Sequence, residues 1–181
     1  MGKYREVVMT GGVYDANVDL SGSLVSIPVE HHMVHEGKYF TATDYDTDID
    51  ISAPKYWRIT APNTTTRIHC TIMVYVDAAG LVQFYENPTI STAGTSLTAY
   101  NNDRNSSTAP TATVFKDTTT SNDGTLLEQA YLGTSNNRTK IGGDSRQAVE
   151  FILEQNEDYI VKFTPAADDT QATIAVEWYE L

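Results

Sequence analysis

The run from Arg67 to Glu86 constrains this chain more than any other stretch. Ile68, Cys70, Ile72, Val74 and Val76 alternate strictly with Arg67, His69, Thr71, Met73 and Tyr75. Successive side chains of a strand point to opposite faces, so this pattern gives one dry face and one mixed face. Asp77-Ala78-Ala79-Gly80 reads as a turn and Leu81 to Glu86 as the returning strand, together a hairpin. A helix of the same composition would scatter these apolar residues around its circumference.

Similar alternation recurs along the chain. Lys38–Thr43, Tyr56–Thr60, Gly94–Tyr100 and Thr111–Lys116 read as strands. Gly124–Leu132 fits a short helix or a strand, and the flanking asparagines and glycines favour strand. Val149, Phe151 and Leu153 alternate with Glu150, Ile152 and Glu154; Tyr159, Val161 and Phe163 share a face; Ile174, Val176 and Trp178 alternate with Thr173, Ala175, Glu177 and Tyr179. About nine short strands separated by polar turns predict an all-β fold, an antiparallel β-sandwich resembling a jelly roll. An immunoglobulin-like sandwich is less favoured, because a Cys…Trp…Cys pattern is absent.

Before this body, residues 1–36 look different. Val7-Val8-Met9 and Val13-Tyr14 are short apolar pieces broken by Gly11-Gly12, and Leu24–Pro28 reads as a short strand. Such a segment cannot bury much surface alone. The expected organisation is therefore an extended N-terminal arm with a short strand over 1–36, followed by a sandwich domain over 37–181. Val7, Val8, Met9, Val13 and Tyr14 are candidate interface residues.

The formal charge is −12, with lysine and arginine scattered. A nucleic-acid binder carries a basic stripe, so a nucleic-acid partner is not expected. No apolar stretch approaches membrane-spanning length. Cys70 is the sole cysteine and sits on the dry face, which reads as a small buried hydrophobe.

Candidate chemistry is sparse. Glu30-His31-His32-Met33-Val34-His35 concentrates imidazoles. His31 and His35 would share a helix face; on a strand, His31 would align with Met33 and His35. Their spacing matches no zinc motif, and His31, His32 and His35 read as surface or intersubunit residues. Asp44-Tyr45-Asp46-Thr47-Asp48-Ile49-Asp50 begins like a calcium loop, but Ile49 and Lys55 stand where glycine and glutamate are needed. It reads as a solvated loop or edge, with a weak cation site as the lesser reading. No catalytic triad, nucleophile elbow or phosphate loop is present. Neither a catalytic residue nor a cofactor is expected. Trp178 reads as core, whereas Tyr85 and Tyr100 are candidate interface aromatics.

Several phrases carry a family resemblance: His31-His32-Met33-Val34-His35-Glu36-Gly37-Lys38-Tyr39-Phe40, Leu97-Thr98-Ala99-Tyr100-Asn101-Asn102-Asp103-Arg104-Asn105-Ser106, Thr113-Val114-Phe115, Gly124-Thr125-Leu126-Leu127 and the closing Glu177-Trp178-Tyr179-Glu180. Their order, from about residue 31 to the C-terminus, resembles tailed-bacteriophage virion structural proteins, similar to jelly-roll head decoration (cement) proteins. The resemblance implies a non-enzymatic protein synthesised in the host cytoplasm and placed on the outer capsid surface. It would clamp the major capsid protein and form a homo-oligomer, most often a trimer. It supplies no binding motif to carry over. A carbohydrate- or receptor-binding jelly roll of a head fibre or tail is the alternative.

Overall fold

A computed structural model describes residues 28–132, 138–141 and 150–181, with 138–141 described by their backbone alone. The chain divides between His32 and Met33. Of the first part, Pro28 to His32 is described; the arm residues before it, including the expected strand Leu24–Pro28 up to Ile27, lie outside the described residues.

A short helix, α1 (Val29–His35), takes up the histidine cluster. It ends in the hydrogen-bond pair of a Schellman motif: Gly37 N–H donates to Val34 O at 3.0 Å, and Lys38 N–H to Met33 O at 2.9 Å. Gly37 adopts φ +66°, the left-handed conformation that this stop requires.

Fourteen strands follow among the described residues. They are β1 (Tyr39–Ile49), β2 (Lys55–Thr60), β3 (Ile68–Val76), β4 (Gly80–Glu86), β5 (Thr89–Thr92), β6 (Thr95–Ser96) and β7 (Tyr100–Asn101), then β8 (Thr113–Lys116), β9 (Thr119–Asn122), β10 (Thr125–Leu132), β11 (Arg138–Ile141), β12 (Phe151–Leu153), β13 (Asp158–Pro165) and β14 (Thr170–Glu180). Sheet 1 runs β11–β3–β14–β1–β7, with β12 also paired to β3. Sheet 2 runs β10–β4–β13–β2–β8–β6, and β5 and β9 form a separate two-stranded ribbon. The pairings are antiparallel.

The principal strands are therefore β1, β14, β3 and β12 in one sheet, and β2, β13, β4 and β10 in the other. Chain order alternates between the sheets from β1 through β4, and again from β12 through β14. This is the interleaved Greek-key order of an eight-stranded jelly roll. The short strands β5 to β9 form an excursion between β4 and β10, which are themselves neighbours.

One expectation fails here. The strands of the Arg67–Glu86 run do not form a hairpin: β3 pairs with β11, β12 and β14, while β4 pairs with β10 and β13. Asp77–Ala79 arches between the sheets. Both strands present their apolar residues to one core, and alternation alone does not say whether that core lies beside the turn or beneath it.

The core fills the space between the sheets. Ile68, Cys70, Ile72 and Val74 from β3 meet Val82 and Phe84 from β4 and Trp57 and Ile59 from β2, all at most 1% exposed. Trp178 stands in register with Cys70 and packs against Phe40, ring centroids 5.8 Å apart. Burying one such side chain contributes roughly 1.5–3 kcal/mol. Burial pushes the Cys70 thiol pKa up, as befits a small hydrophobe rather than a nucleophile.

Polar groups at the core margin are paired. Glu180, 7% exposed, accepts from Thr111 N–H at 2.8 Å, Thr111 Oγ1 at 2.7 Å, Ala112 N–H at 3.2 Å and Trp178 Nε1 at 3.1 Å. These bonds tie the approach to β8 onto the end of β14.

Candidate functional site

The aspartate run lies on an edge, since β7 pairs β1 only at Phe40 and Thr41, and Tyr45, Thr47 and Asp48 are exposed; Asp44 departs from the solvated reading. The run lies in β1 through Ile49, and Asp44 is 8% exposed and accepts from Trp57 Nε1 at 2.9 Å and Lys116 Nζ at 3.2 Å. Lys55 bonds Asp46 and Asp117 and lies 3.9 Å from Asp44. Burial opposes ionisation of Asp46, but Lys55 outweighs it and holds the carboxyl below its ordinary value. The group clips sheet 1 to sheet 2 at one margin. A register shift between Asp46 and Ile49 separates the second half of the run. There Asp48, Asp50 and Asp169 bring carboxylate oxygens within 4.8 Å of one another. Repulsion from Asp50 and Asp169 raises the Asp48 pKa. Among the described residues this is the converging group of possible metal ligands, and it does not include the histidines.

Of the expected interface residues, His31, His32 and His35 lie exposed on α1. Tyr100 is 57% exposed on β7, at the margin of sheet 1. Tyr85 is half-buried on β4 in sheet 2, and burial raises its pKa. The two tyrosines thus belong to different sheets and do not form one site. Val7, Val8, Met9, Val13 and Tyr14 lie outside the described residues.

The outward face of sheet 2 is covered by the chain itself around β13. Ile160 points away from the core on β13 yet is 0% exposed. Arg58 stacks 4.0 Å from the Phe115 ring centroid and pairs with Asp158 at 3.5 Å. Asp123, just past the β5–β9 ribbon, meets Lys162 at 2.8 Å, and Lys162 in turn lies 5.2 Å from the Tyr56 ring centroid. Burial works against both charges of the Asp123–Lys162 pair. Their mutual bond prevails, lowering the Asp123 pKa and raising that of Lys162. Gly94 (φ +82°) and Gly124 (φ +93°) flank the ribbon, where a Cβ would overlap Lys116 O and Glu86 O respectively.

The outward face of sheet 1 is built differently. Register aligns Tyr39 with Tyr179 and Tyr179 with His69, and Ile152 lies beyond His69. The next row is Tyr100–Thr41–Glu177–Thr71, followed by Thr43–Ala175–Met73 and Tyr45–Thr173–Tyr75. At one end the Tyr179 ring stacks on His69 at 4.5 Å and on Tyr39 at 6.3 Å. Its hydroxyl donates to Glu150 at 2.8 Å, and His69 Nδ1 lies 2.8 Å from the same oxygen. Thr41, Glu177, Thr71, Thr43, Ala175 and Met73 floor the middle. At the other end Tyr45, Tyr75, Asp77 and Gln171 line a groove of about 180 Å³, and Tyr45 donates to Gln171 at 2.6 Å. On β11, Arg138 and Lys140 occupy the register positions beside Tyr75 and Met73.

Ile152 and Tyr45 on this face, 55% and 57% exposed, were not singled out from the sequence. They come to share a face with Tyr100 only through the pairing of β12, β3, β14, β1 and β7. A different apolar group, Leu126, Leu127 and Tyr131, is exposed on β10, the terminal strand of sheet 2. No helix among the described residues is long and apolar enough to cross a membrane.

No family model, curated protein sequence or solved structure matches this chain.

Proposed function

We propose that this chain is a structural virion protein of a tailed bacteriophage. In this reading it decorates the outer surface of the head and stabilises contacts between major capsid subunits as a homo-oligomer. It acts by adhesion rather than by catalysis. The observation that supports the reading most is the strand order. Eight principal strands in jelly-roll order are the architecture that the resemblance implied, in a chain without a recognised catalytic motif.

Fold alone does not decide function. The surface adds weight. The outer face of sheet 1 is rich in Tyr, a residue enriched at protein contact surfaces. A net charge of −12 suits a protein that need not touch packaged DNA.

The test is co-sedimentation of the purified chain with phage capsids that lack it. Saturable binding that raises the temperature at which the capsids burst is expected. Absence of binding would overturn the reading. Deleting Met1 to Ser23 should weaken the binding if the arm contributes to it.

A second reading, carbohydrate or receptor binding by a fibre or tail protein, draws on the groove beside Tyr45 and Tyr75. Aromatic faces beside the Gln171 amide and the Asp77 carboxylate suit a sugar. Glycan-array binding that is lost in Tyr45→Ala would favour it over decoration.

A further inference from the structure

We infer that the cleft beside the turn from β12 to β13 binds a basic side chain, arginine or lysine, of a partner protein. The inference goes beyond the proposed decoration role, because it names a site and the chemistry that fills it.

The cleft measures about 620 Å³, room for a small ligand or a long side chain. Sheet 1 supplies Ile152 and Leu153 of β12, and sheet 2 supplies Glu86 at the end of β4 and Tyr159 of β13. Arg67, just before β3, and Glu154, just after β12, also line it. Its base is firm: the Tyr159 ring stacks on Phe84 at 5.7 Å, and Phe84 packs on Phe151 at 5.0 Å.

Charge selects a cation. Among the described residues, the carboxylates of Glu86 and Glu154 make no hydrogen bond or ion pair, and Arg67 stays beyond ion-pair distance of both. Burial raises the Tyr159 pKa, and the negative charges of Glu86, Glu154 and Glu157 raise it further. Three carboxylates against one guanidinium draw in positive charge, and a chain of −12 steers basic partners towards it. These three carboxylates do not converge on a metal-sized point as Asp48, Asp50 and Asp169 do, so a larger cation fits better. Ile152, 55% exposed, offers an apolar wall to the methylene stem of arginine or lysine.

A buried hydroxyl is also left without an acceptor. Tyr159, 3% exposed, accepts from Glu154 N–H at 2.8 Å, and among the described residues nothing accepts its own proton. Buried donors are normally satisfied. A main-chain carbonyl of the segment that carries the basic residue would take this one.

The test is titration of the isotope-labelled full chain with an acetylated glycine–arginine–glycine amide, read from backbone amide shifts, with the glutamate tripeptide as control. The arginine peptide should give saturable shifts at Glu86, Glu154 and Gln155, with a Kd of about 1 mM, an affinity suited to one side chain. The glutamate peptide should give none. Glu86→Gln should weaken binding about fivefold, whereas Arg67→Gln, which removes the competing cation, should tighten it about twofold. Amide spectra unchanged away from the cleft show that both variants fold. Shifts that do not saturate by about 20 mM, equal shifts from the glutamate peptide, or binding that ignores both substitutions would overturn the inference. Capsid binding by a chain that ignores the peptide would sink this inference alone, whereas peptide binding by a chain that ignores capsids would sink the decoration reading alone.

Discussion

The two outward faces of this sandwich come from the same strand alternation yet are finished differently. Around β13 on sheet 2 the chain covers its own surface: Ile160 is sealed, Arg58 lies on Phe115, and Asp123 reaches Lys162 from beyond the ribbon, while Tyr131 on β10 stays exposed. On sheet 1, Tyr100, Tyr45 and Ile152 are more than half exposed around rows that hold Thr41, Glu177, Thr71, Thr43, Ala175 and Met73. Alternation tells which residues leave the core. It does not tell which of them the chain then covers. Among the described residues, the excursion between β4 and β10 supplies a cover for part of sheet 2 and, through β7, a short margin for sheet 1.

The contrast can be broken first at its shared support. Trp178→Ala empties the layer on which both faces rest and should cost about 3–5 kcal/mol, read from urea unfolding. A loss below about 1 kcal/mol would mean that the two sheets do not share one core. Next comes the charged clip. Lys55→Met leaves Asp44, Asp46 and Asp117 without their common cation; because Asp117 is half-exposed, roughly 1–3 kcal/mol is expected, less than for a fully buried pair.

The cover on sheet 2 should depend on pH. Asp123 has its pKa depressed below 3.8 in the folded chain, so its contribution is fully present above that value. It is lost as pH falls through the folded pKa. Lys162 has a raised pKa, so its contribution is present below 10.5 and lost only as pH climbs through the higher folded value. Asp123→Asn should therefore lower stability by about 0.5–1 kcal/mol at pH 7 and make little difference once pH is well below 3.8. Thermal unfolding of both proteins across pH checks this; a gap that persists in acid would refute it. The smallest effect is expected on sheet 1. Thr43→Glu should shift the stability of a single chain by less than about 0.5 kcal/mol, because the position is exposed.

Much of the fold was legible in the residues. The alternation at Ile68–Val76, Tyr159–Phe163 and Ile174–Trp178 identified strands and core, including Cys70 and Trp178. The histidine cluster left helix and strand open, and the Schellman stop at Gly37 favours helix. Gly124–Leu132 was ambiguous for a physical reason: the register shifts between Leu126 and Glu128, so the period of two breaks inside the strand. The ribbon β5–β9 was missed, because its Thr-rich strands, such as Thr89–Thr92, carry no alternating apolar signal.

The candidate surface was less legible than the fold. Tyr100 could be named from its residue type, but its neighbour Thr41, and Ile152 across the same face, could not. They come together through cross-strand register, which depends on long-range pairing rather than on local sequence. The Arg67–Glu86 run shows the same limit. Its two strands were recognised, and its arch between the sheets was read as a hairpin.

The central claim is that this sandwich works by holding a surface against other proteins of a phage head. Electron cryo-microscopy of purified virions tests it most directly. Density that fits β1 to β14 at regular positions on the capsid lattice is the predicted result. Density for this chain only at the tail, or none on the particle, would contradict it.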